Sequence, residues 1–208
     1  MRDAVILSIE EVTQRSDSLR SALTDPERAT LDQLVVDKRR QDWLAGRIAA
    51  KLAGQRVTGP PLCAHEVHAV AAGPQRGRPY LVVGDQTMYL SITHAGDVAA
   101  AVVSDQPLGL DIEVVEPRPE IETLAFSSDE RRAWIGLTGM DRSAAVTRAW
   151  CEKEAIAKRR GVGFRDAFDD LVARDATLVR HGTFIHRGVL MAWAHATERA
   201  LEQAEHAA

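Results

Sequence analysis

Apolar residues along this chain alternate between two spacings, one that suits short strands and one that suits helices. Residues 4–9 form a brief apolar run that predicts a first strand. Residues 21–53 carry Leu31, Leu34 and Val35, then Trp43, Leu44, Ile48 and Leu52, a stripe that predicts a largely helical stretch. Asp25-Pro26-Glu27 reads as its start signal, a capping acid followed by proline at the first helical position, and Gly54 as its end. Gly59-Pro60-Pro61 reads as a linker. Strands are expected over residues 67–71, 80–83, 88–92 and 98–103, with a turn-rich loop at 73–79 and a turn at Gly84-Asp85. Residues 108–115 predict a further strand. It points Leu108, Leu110, Ile112 and Val114 one way, and Gly109, Asp111, Glu113 and Val115 the other.

Beyond the rigid connector Glu116-Pro117-Arg118-Pro119, Ser127 or Ser128 is expected to cap a helix over 129–137, which Gly139 breaks. Asp141 or Ser143 then opens a long helix that ends at Gly161-Val162-Gly163-Phe164. Strands near 176–179 and 189–194, with Gly182 between them, and a final helix over 196–205 complete the expected order. No tandem repeat is visible. The two halves share a rough plan of helices plus short strands, which divides the chain into residues 1–105 and 106–208.

Composition narrows the function classes. At 208 residues, 45% hydrophobic and 27% charged, the chain can bury a sizeable core. A net charge of −4 argues against a bulk nucleic-acid binder. No apolar run approaches the ~20 residues that span a bilayer. The apolar core at the N-terminus is too short for a signal peptide, and Glu10 and Glu11 follow it at once. Cys63 and Cys151 alone make neither a disulfide framework nor a four-thiolate zinc site, and a reducing cytoplasm fits best. Cys151, in a helix beside Trp150, reads as packing rather than as a nucleophile.

Candidate chemistry sits in a few places. Asp111 and Glu113 are neighbours on one strand face. Two carboxylates that close repel unless a cation or proton lies between them, so Mg²⁺ fits, with a solvated outer face as the alternative. In the long second-half helix, Trp150, Glu154 and Lys158 stack on one side and look out in one direction. A solvated Glu–Lys pair worth roughly 0.2–0.5 kcal/mol is the plain account of the last two. Arg28, Lys38, Arg39, Arg40, Arg47 and Lys51 crowd the first helical stretch, and Arg39 and Arg47 lie about two turns apart on one face. They make either a solvated basic face or an anion site, since the guanidinium fork matches phosphate. Arg76 and Arg78 lie on the turn-rich loop, and His94 ends a strand. Taken together, three carboxylates could hold Mg²⁺ while Lys158, His94 and the arginines neutralise phosphate oxygens, the chemistry of phosphoryl-type transfer. Neither a Walker A loop nor a dinucleotide glycine fingerprint is present.

Gly109-Leu110-Asp111-Ile112-Glu113, with Trp150-Cys151-Glu152-Lys153-Glu154-Ala155-Ile156-Ala157-Lys158 further on, resembles the paired signature of the 4′-phosphopantetheinyl transferases. Lys38-Arg39-Arg40-Gln41-Asp42-Trp43-Leu44-Ala45-Gly46-Arg47, Gly77-Arg78-Pro79, Ser91-Ile92-Thr93-His94-Ala95 and Phe126-Ser127-Ser128-Asp129-Glu130 are similar to segments of the larger, two-lobed (surfactin-synthetase-activating) type. The resemblance implies an α+β fold of two similar lobes related by a pseudo-twofold, with the active site in the cleft between them. It implies coenzyme A as co-substrate, Mg²⁺, an apo acyl or peptidyl carrier protein as partner, and a cytoplasmic monomer. Carried over, Asp111 and Glu113 bind Mg²⁺ and Glu154 is the third carboxylate and candidate base. Lys158 and His94 face the pyrophosphate. Arg39, Arg47 and Arg76 are candidates for the 3′-phosphate and neighbouring groups, with Arg78 and Arg28 behind them. Where the family has serine, Thr93 and Ala95 stand here, and Val162 replaces a basic residue. Three other readings compete: a coenzyme A or carrier-protein binding module without turnover, a metal-dependent nuclease that uses Glu152 and Lys153, and a purely structural helical protein, against which the ordered motifs argue.

Overall fold

A computed structural model describes residues 4–161 and 177–198. The first half opens with β1 (Val5–Ser8), the short helices α1 (Ile9–Gln14) and α2 (Ser16–Leu19), then α3 (Asp25–Gln33) and the long α4 (Asp37–Thr58). Four strands follow: β2 (His65–Ala69), β3 (Pro79–Val83), β4 (Gln86–Ala95) and β5 (Val98–Ser104). The second half contains β6 (Leu108–Val114), α5 (Pro119–Ala125), α6 (Ser128–Arg132), the long α7 (Gly139–Arg160), β7 (Thr177–His186) and β8 (Val189–Glu198). The strands form an antiparallel five-stranded sheet in the order β1-β5-β4-β3-β2 and an antiparallel three-stranded sheet in the order β6-β8-β7. The chain is α+β. No helix among the described residues is long and apolar enough to cross a membrane.

Alternation along β5 explains its unbroken apolar run. Ala99, Ala101 and Val103 face α4, while Val98, Ala100 and Val102 meet Leu108, Leu110 and Ile112 of β6. Both faces of β5 are therefore buried, and the two sheets share one apolar interface. On the far side, Ala45, Ala49, Ala50 and Ala53 let α4 lie close on the sheet. The β7–β8 hairpin adds a polar contact between the halves: Arg187 reaches Asp97 at 3.2 Å and Glu11 at 3.0 Å.

Each half contains the same anchoring device. Glu27 in the first turn of α3 accepts from the Thr24 backbone N–H at 2.9 Å and pairs with Lys51 of α4 at 2.7 Å. Glu130 in the first turn of α6 accepts from the Ser127 backbone N–H at 2.8 Å and pairs with Lys153 of α7 at 2.8 Å. Both lysines are buried, and each donates to a backbone carbonyl, of His65 and Ala125 respectively. Counted from Asp37 and from Gly139, Lys51 and Lys153 occupy the same place in two helices of 22 residues each. A Glu that caps one helix thus anchors the next, and the buried lysine of each pair is tolerated because it is paired.

Several boundaries differ from the sequence reading. The helical stretch breaks at residues 34–36 into α3 and α4, and Thr24 rather than Asp25 is the N-cap. Gly54 does not end α4, which runs on to Thr58. It is glycine because a Cβ would lie 2.5 Å from Leu81 Cδ2 and 2.6 Å from His65 Cδ2. The helix predicted over 129–137 spans only Ser128–Arg132, and α7 opens at Gly139 behind Thr138. Gly182 lies inside β7, where a Cβ would press on the Trp193 indole at 3.0 Å, and the turn falls at Arg187-Gly188. Residues 196–198, expected to begin a helix, continue β8. The remainder of that expected helix lies outside the described residues, as do Val162, Gly163 and Phe164.

Candidate active site

Strand β6 turns Gly109 and Asp111 toward α7, and the contact is close: a Cβ on Gly109 would overlap the Ala155 carbonyl at 1.9 Å. Seating the helix directly on the strand puts Asp111 under its side chains, at 3% exposure. Asp111 Oδ1 accepts from Lys158 Nζ at 2.6 Å and from Thr93 Oγ1 at 3.0 Å. Its other oxygen, Oδ2, is buried without a hydrogen-bond partner. Buried carboxylate oxygens are ordinarily satisfied, so an oxygen left open beside other acids points to a cation. The solvated outer face considered above is thereby excluded for Asp111.

Glu113, two residues along the strand, accepts from Arg118 at 2.9 Å. Burial pushes its carboxyl above the usual range, the charge of Asp111 adds to this, and Arg118 opposes it. On α7, burial pushes Glu154 up to about 7. Lys158 works against that rise, and the negative charges of Asp111 and Glu113 work with it. Burial alone would lower the Lys158 ammonium, but Asp111 and Glu154 outweigh it and hold Lys158 above its ordinary value. Beyond burial, the negative charges of Asp111 and Glu113 add to the cost of ionising Glu154, a cost that a bound cation would relieve. No three of the described acid, histidine and cysteine side chains close into a finished metal cage. An oxygen-only set with one open, buried Asp oxygen fits Mg²⁺, which takes one or two carboxylates and completes its shell with water and phosphate.

A groove of about 530 Å³ runs along the N-terminal part of α4 and over β4; Arg39, Trp43, Arg47, His68 and His94 line it. Arg47 lies over the Trp43 ring, 4.7 Å from its centroid, and its Nε is buried without a partner. Burial lowers Arg47, so an anion in the groove would relieve it. Arg39 and His94 are exposed on the same groove. An adjoining cavity of about 260 Å³ shares Gly77, Pro79 and Ile92 with the groove and is also lined by Arg76, Arg78 and Lys158. The basic residues of α4 and Lys158, the partner of Asp111, therefore line neighbouring spaces.

Other predicted residues have different places. Arg78 donates to the Arg159 carbonyl at 2.8 Å, lies over the Tyr89 ring at 4.9 Å, and packs its Cδ against Gly161. It braces the loop against the end of α7. Arg28 is engaged with Asp25 and the carbonyls of Leu23 and Arg20, away from the groove. Trp150 does not look outward with Glu154; it is buried among Phe126, Trp134 and Val146. Cys151 is fully buried and burial pushes its thiol far up, which leaves it inert and matches the packing reading. Lys153 is spent on Glu130, Ala125 and the face of Phe126, so the Glu152–Lys153 group of the nuclease reading is not assembled at Asp111. Two residues of the site escaped the sequence reading. Thr93 was visible only as a departure from a serine, and Arg118 only as part of a connector.

Comparison with known proteins gives three kinds of match. Residues 107–206 match the model of the 4′-phosphopantetheinyl transferase superfamily (ACPS). The 4′-phosphopantetheinyl transferase AcpT of Salmonella typhimurium is 34% identical over 127 residues, covering 59% of this chain and 60% of that protein. Enterobactin synthase component D of Escherichia coli is 34% identical over 125 residues, covering 58% of this chain and 54% of that protein. The chain thus spans a little over half of the length of these relatives. A holo-(acyl-carrier-protein) synthase from Bacillus anthracis, solved in complex with CoA (3′,5′-ADP), aligns with 48% of this chain and 90% of its own at 27% identity and a TM-score of 0.43.

Proposed function

We propose that this chain is a 4′-phosphopantetheinyl transferase of the larger, two-lobed type. It would move the phosphopantetheine arm of coenzyme A onto a serine of an apo acyl or peptidyl carrier protein and release 3′,5′-ADP. The observation that carries the reading is the open, buried Oδ2 of Asp111, whose partner Lys158 lines the cavity next to the basic groove. The match of residues 107–206 to the superfamily and the likeness to AcpT support it. In this reading residues 1–105 form the lobe that grips coenzyme A, residues 106–208 form the lobe that carries the acids, and the chain acts as a monomer.

Asp111 and Glu113 would hold Mg²⁺, with Glu154 as the third carboxylate. The bound ion would neutralise and orient the pyrophosphate. Lys158, anchored on Asp111 and one turn beyond Glu154, donates to a pyrophosphate oxygen as charge develops. His94 adds a donor from β4. Arg47 and Arg39 take the 3′-phosphate, with Arg76 at the far side of the neighbouring cavity. The serine oxygen of the carrier bonds to the β-phosphorus, the bond to the bridging oxygen breaks, and 3′,5′-ADP departs with that electron pair. Glu154 takes the serine proton.

Intact mass of a small apo carrier protein, incubated with the chain, coenzyme A and Mg²⁺, tests the reading. A gain of one phosphopantetheine that disappears with EDTA is expected. Coenzyme A binding without any gain across several apo carriers would favour the binding module, and no binding at all would sink the family reading.

A further inference from the structure

Among the described residues strand β6 is an edge strand: β8 pairs one side of it, and no described strand pairs the other. Side chains of β4 fill that role. Ser91 Oγ accepts from the Leu110 N–H at 2.9 Å, and Thr93 Oγ1 accepts from the Ile112 N–H at 3.3 Å. Both hydroxyls are buried, at 3% and 5% exposure. Ser91 returns its proton to the Leu110 carbonyl at 3.4 Å, so it touches only backbone. Thr93 instead donates to Asp111 Oδ1 at 3.0 Å. Lys158 takes the same oxygen at 2.6 Å. With Oδ1 held by two donors, only Oδ2 is left open.

We propose that Thr93 is a positioning residue: its hydroxyl, fixed by the Ile112 N–H, locks the Asp111 carboxylate so that Oδ2 alone is offered to the divalent cation. This rests on the reading of Asp111 as a metal ligand. It also explains how a residue of the first half tunes a metal site in the second. The lock crosses the interface between the sheets, so the metal site is fully formed only when the halves are correctly packed. A threonine in place of serine keeps the required hydroxyl, and its added methyl restricts the rotamer. Groups that orient a metal ligand without touching the ion typically change metal affinity by roughly 10–100-fold.

The test compares Thr93→Val, which keeps the shape and removes the hydroxyl, with Thr93→Ser, which keeps the hydroxyl. Ser91→Ala, which removes the neighbouring backbone bond without touching a carboxylate, serves as the control for weakened packing. Mn²⁺ affinity in the presence of coenzyme A, read from the electron paramagnetic resonance of free Mn²⁺, is expected to fall roughly 10-fold or more in Thr93→Val. It should stay within about twofold of wild type in Thr93→Ser and Ser91→Ala, and the KM for Mg²⁺ should follow while the KM for coenzyme A holds. Equal losses in Thr93→Val and Ser91→Ala, or no loss in Thr93→Val while wild type binds Mn²⁺, would overturn the proposal and leave the transferase reading standing. Wild-type protein that binds coenzyme A but no Mn²⁺ would overturn both. A crystal structure of the wild-type Mn²⁺ complex provides a check free of folding effects: the ion on Oδ2 supports the lock, and the ion on Oδ1 with Thr93 turned away refutes it.

Discussion

The two long helices, α4 and α7, are built alike and used differently. Each is 22 residues long, lies on an antiparallel sheet, and is pinned by a buried lysine to a glutamate that caps the preceding helix. Beneath α4, β1 presents Val5 and Leu7, which join the apolar core. Beneath α7, β6 presents Gly109 and Asp111. One scaffold therefore ends in an apolar contact in the first half and in a charged, incompletely satisfied one in the second. The lesson is that the anchoring device and the candidate site are separate properties. The lysine–glutamate pins set where each helix lies, and the residues on the underlying strand decide whether that contact packs or does chemistry.

The strongest challenge to this comparison is at the pins. Lys51→Met leaves the buried Glu27 unpaired and is expected to cost about 3–5 kcal/mol in urea unfolding, whereas Lys153→Met leaves a Glu130 that is 31% exposed and able to hydrate, and should cost less. A measurable loss in both variants would support the same work in both halves, and a loss confined to one would break the equivalence. Next in size, Asp111→Ala is expected to lower carrier modification by ~100-fold or more in a transfer assay while the fold survives. By contrast Leu7→Ala, its half-buried counterpart under α4, should lower stability by about 1–2 kcal/mol without changing Mg²⁺ dependence.

Glu154 sharpens the contrast through pH. Its folded-state carboxyl is raised to about 7, so the native state holds that proton more tightly than the unfolded chain does. The stability this group lends is present at low pH and is lost as pH rises from the ordinary carboxylate range through about 7. Without divalent cations, Glu154→Gln should therefore melt a few degrees higher than wild type at pH 8 and no higher at pH 4, by calorimetry. Turnover should nevertheless collapse. The smallest effect is expected at the groove: if Arg47 holds the 3′-phosphate as proposed, Arg47→Ala should raise the KM for coenzyme A roughly 10-fold with kcat nearly unchanged, since that contact would be remote from the reacting phosphorus.

Sequence periodicity and spacing revealed much of this arrangement, for identifiable reasons. The alternation over residues 108–114 placed Asp111 and Glu113 on the face opposite Leu110, and helical spacing placed Lys158 one turn past Glu154; the structure has both. Close backbone approaches were invisible. Gly54 and Gly182 read as breaks because one-dimensional patterns give glycine a single meaning, whereas here each makes room for a packed ring or side chain. The arginines divide in the same way. Arg47 and Arg39 share a helix face and so could be paired by periodicity, while Arg78 is committed to a carbonyl on α7 that lies far away in sequence. Thr93 was hidden because its partner belongs to another sheet, a contact that local pattern does not encode.

The most direct test of the central claim is a matched count of products. Wild type and Asp111→Asn would be compared at equal coenzyme A occupancy, with 3′,5′-ADP released and phosphopantetheine gained by an apo carrier measured in the same reaction. The account predicts one 3′,5′-ADP for each modified carrier in wild type, and loss of both together in Asp111→Asn. Carrier modification that persists undiminished in Asp111→Asn, or 3′,5′-ADP released by wild type with no gain on the carrier, would contradict it.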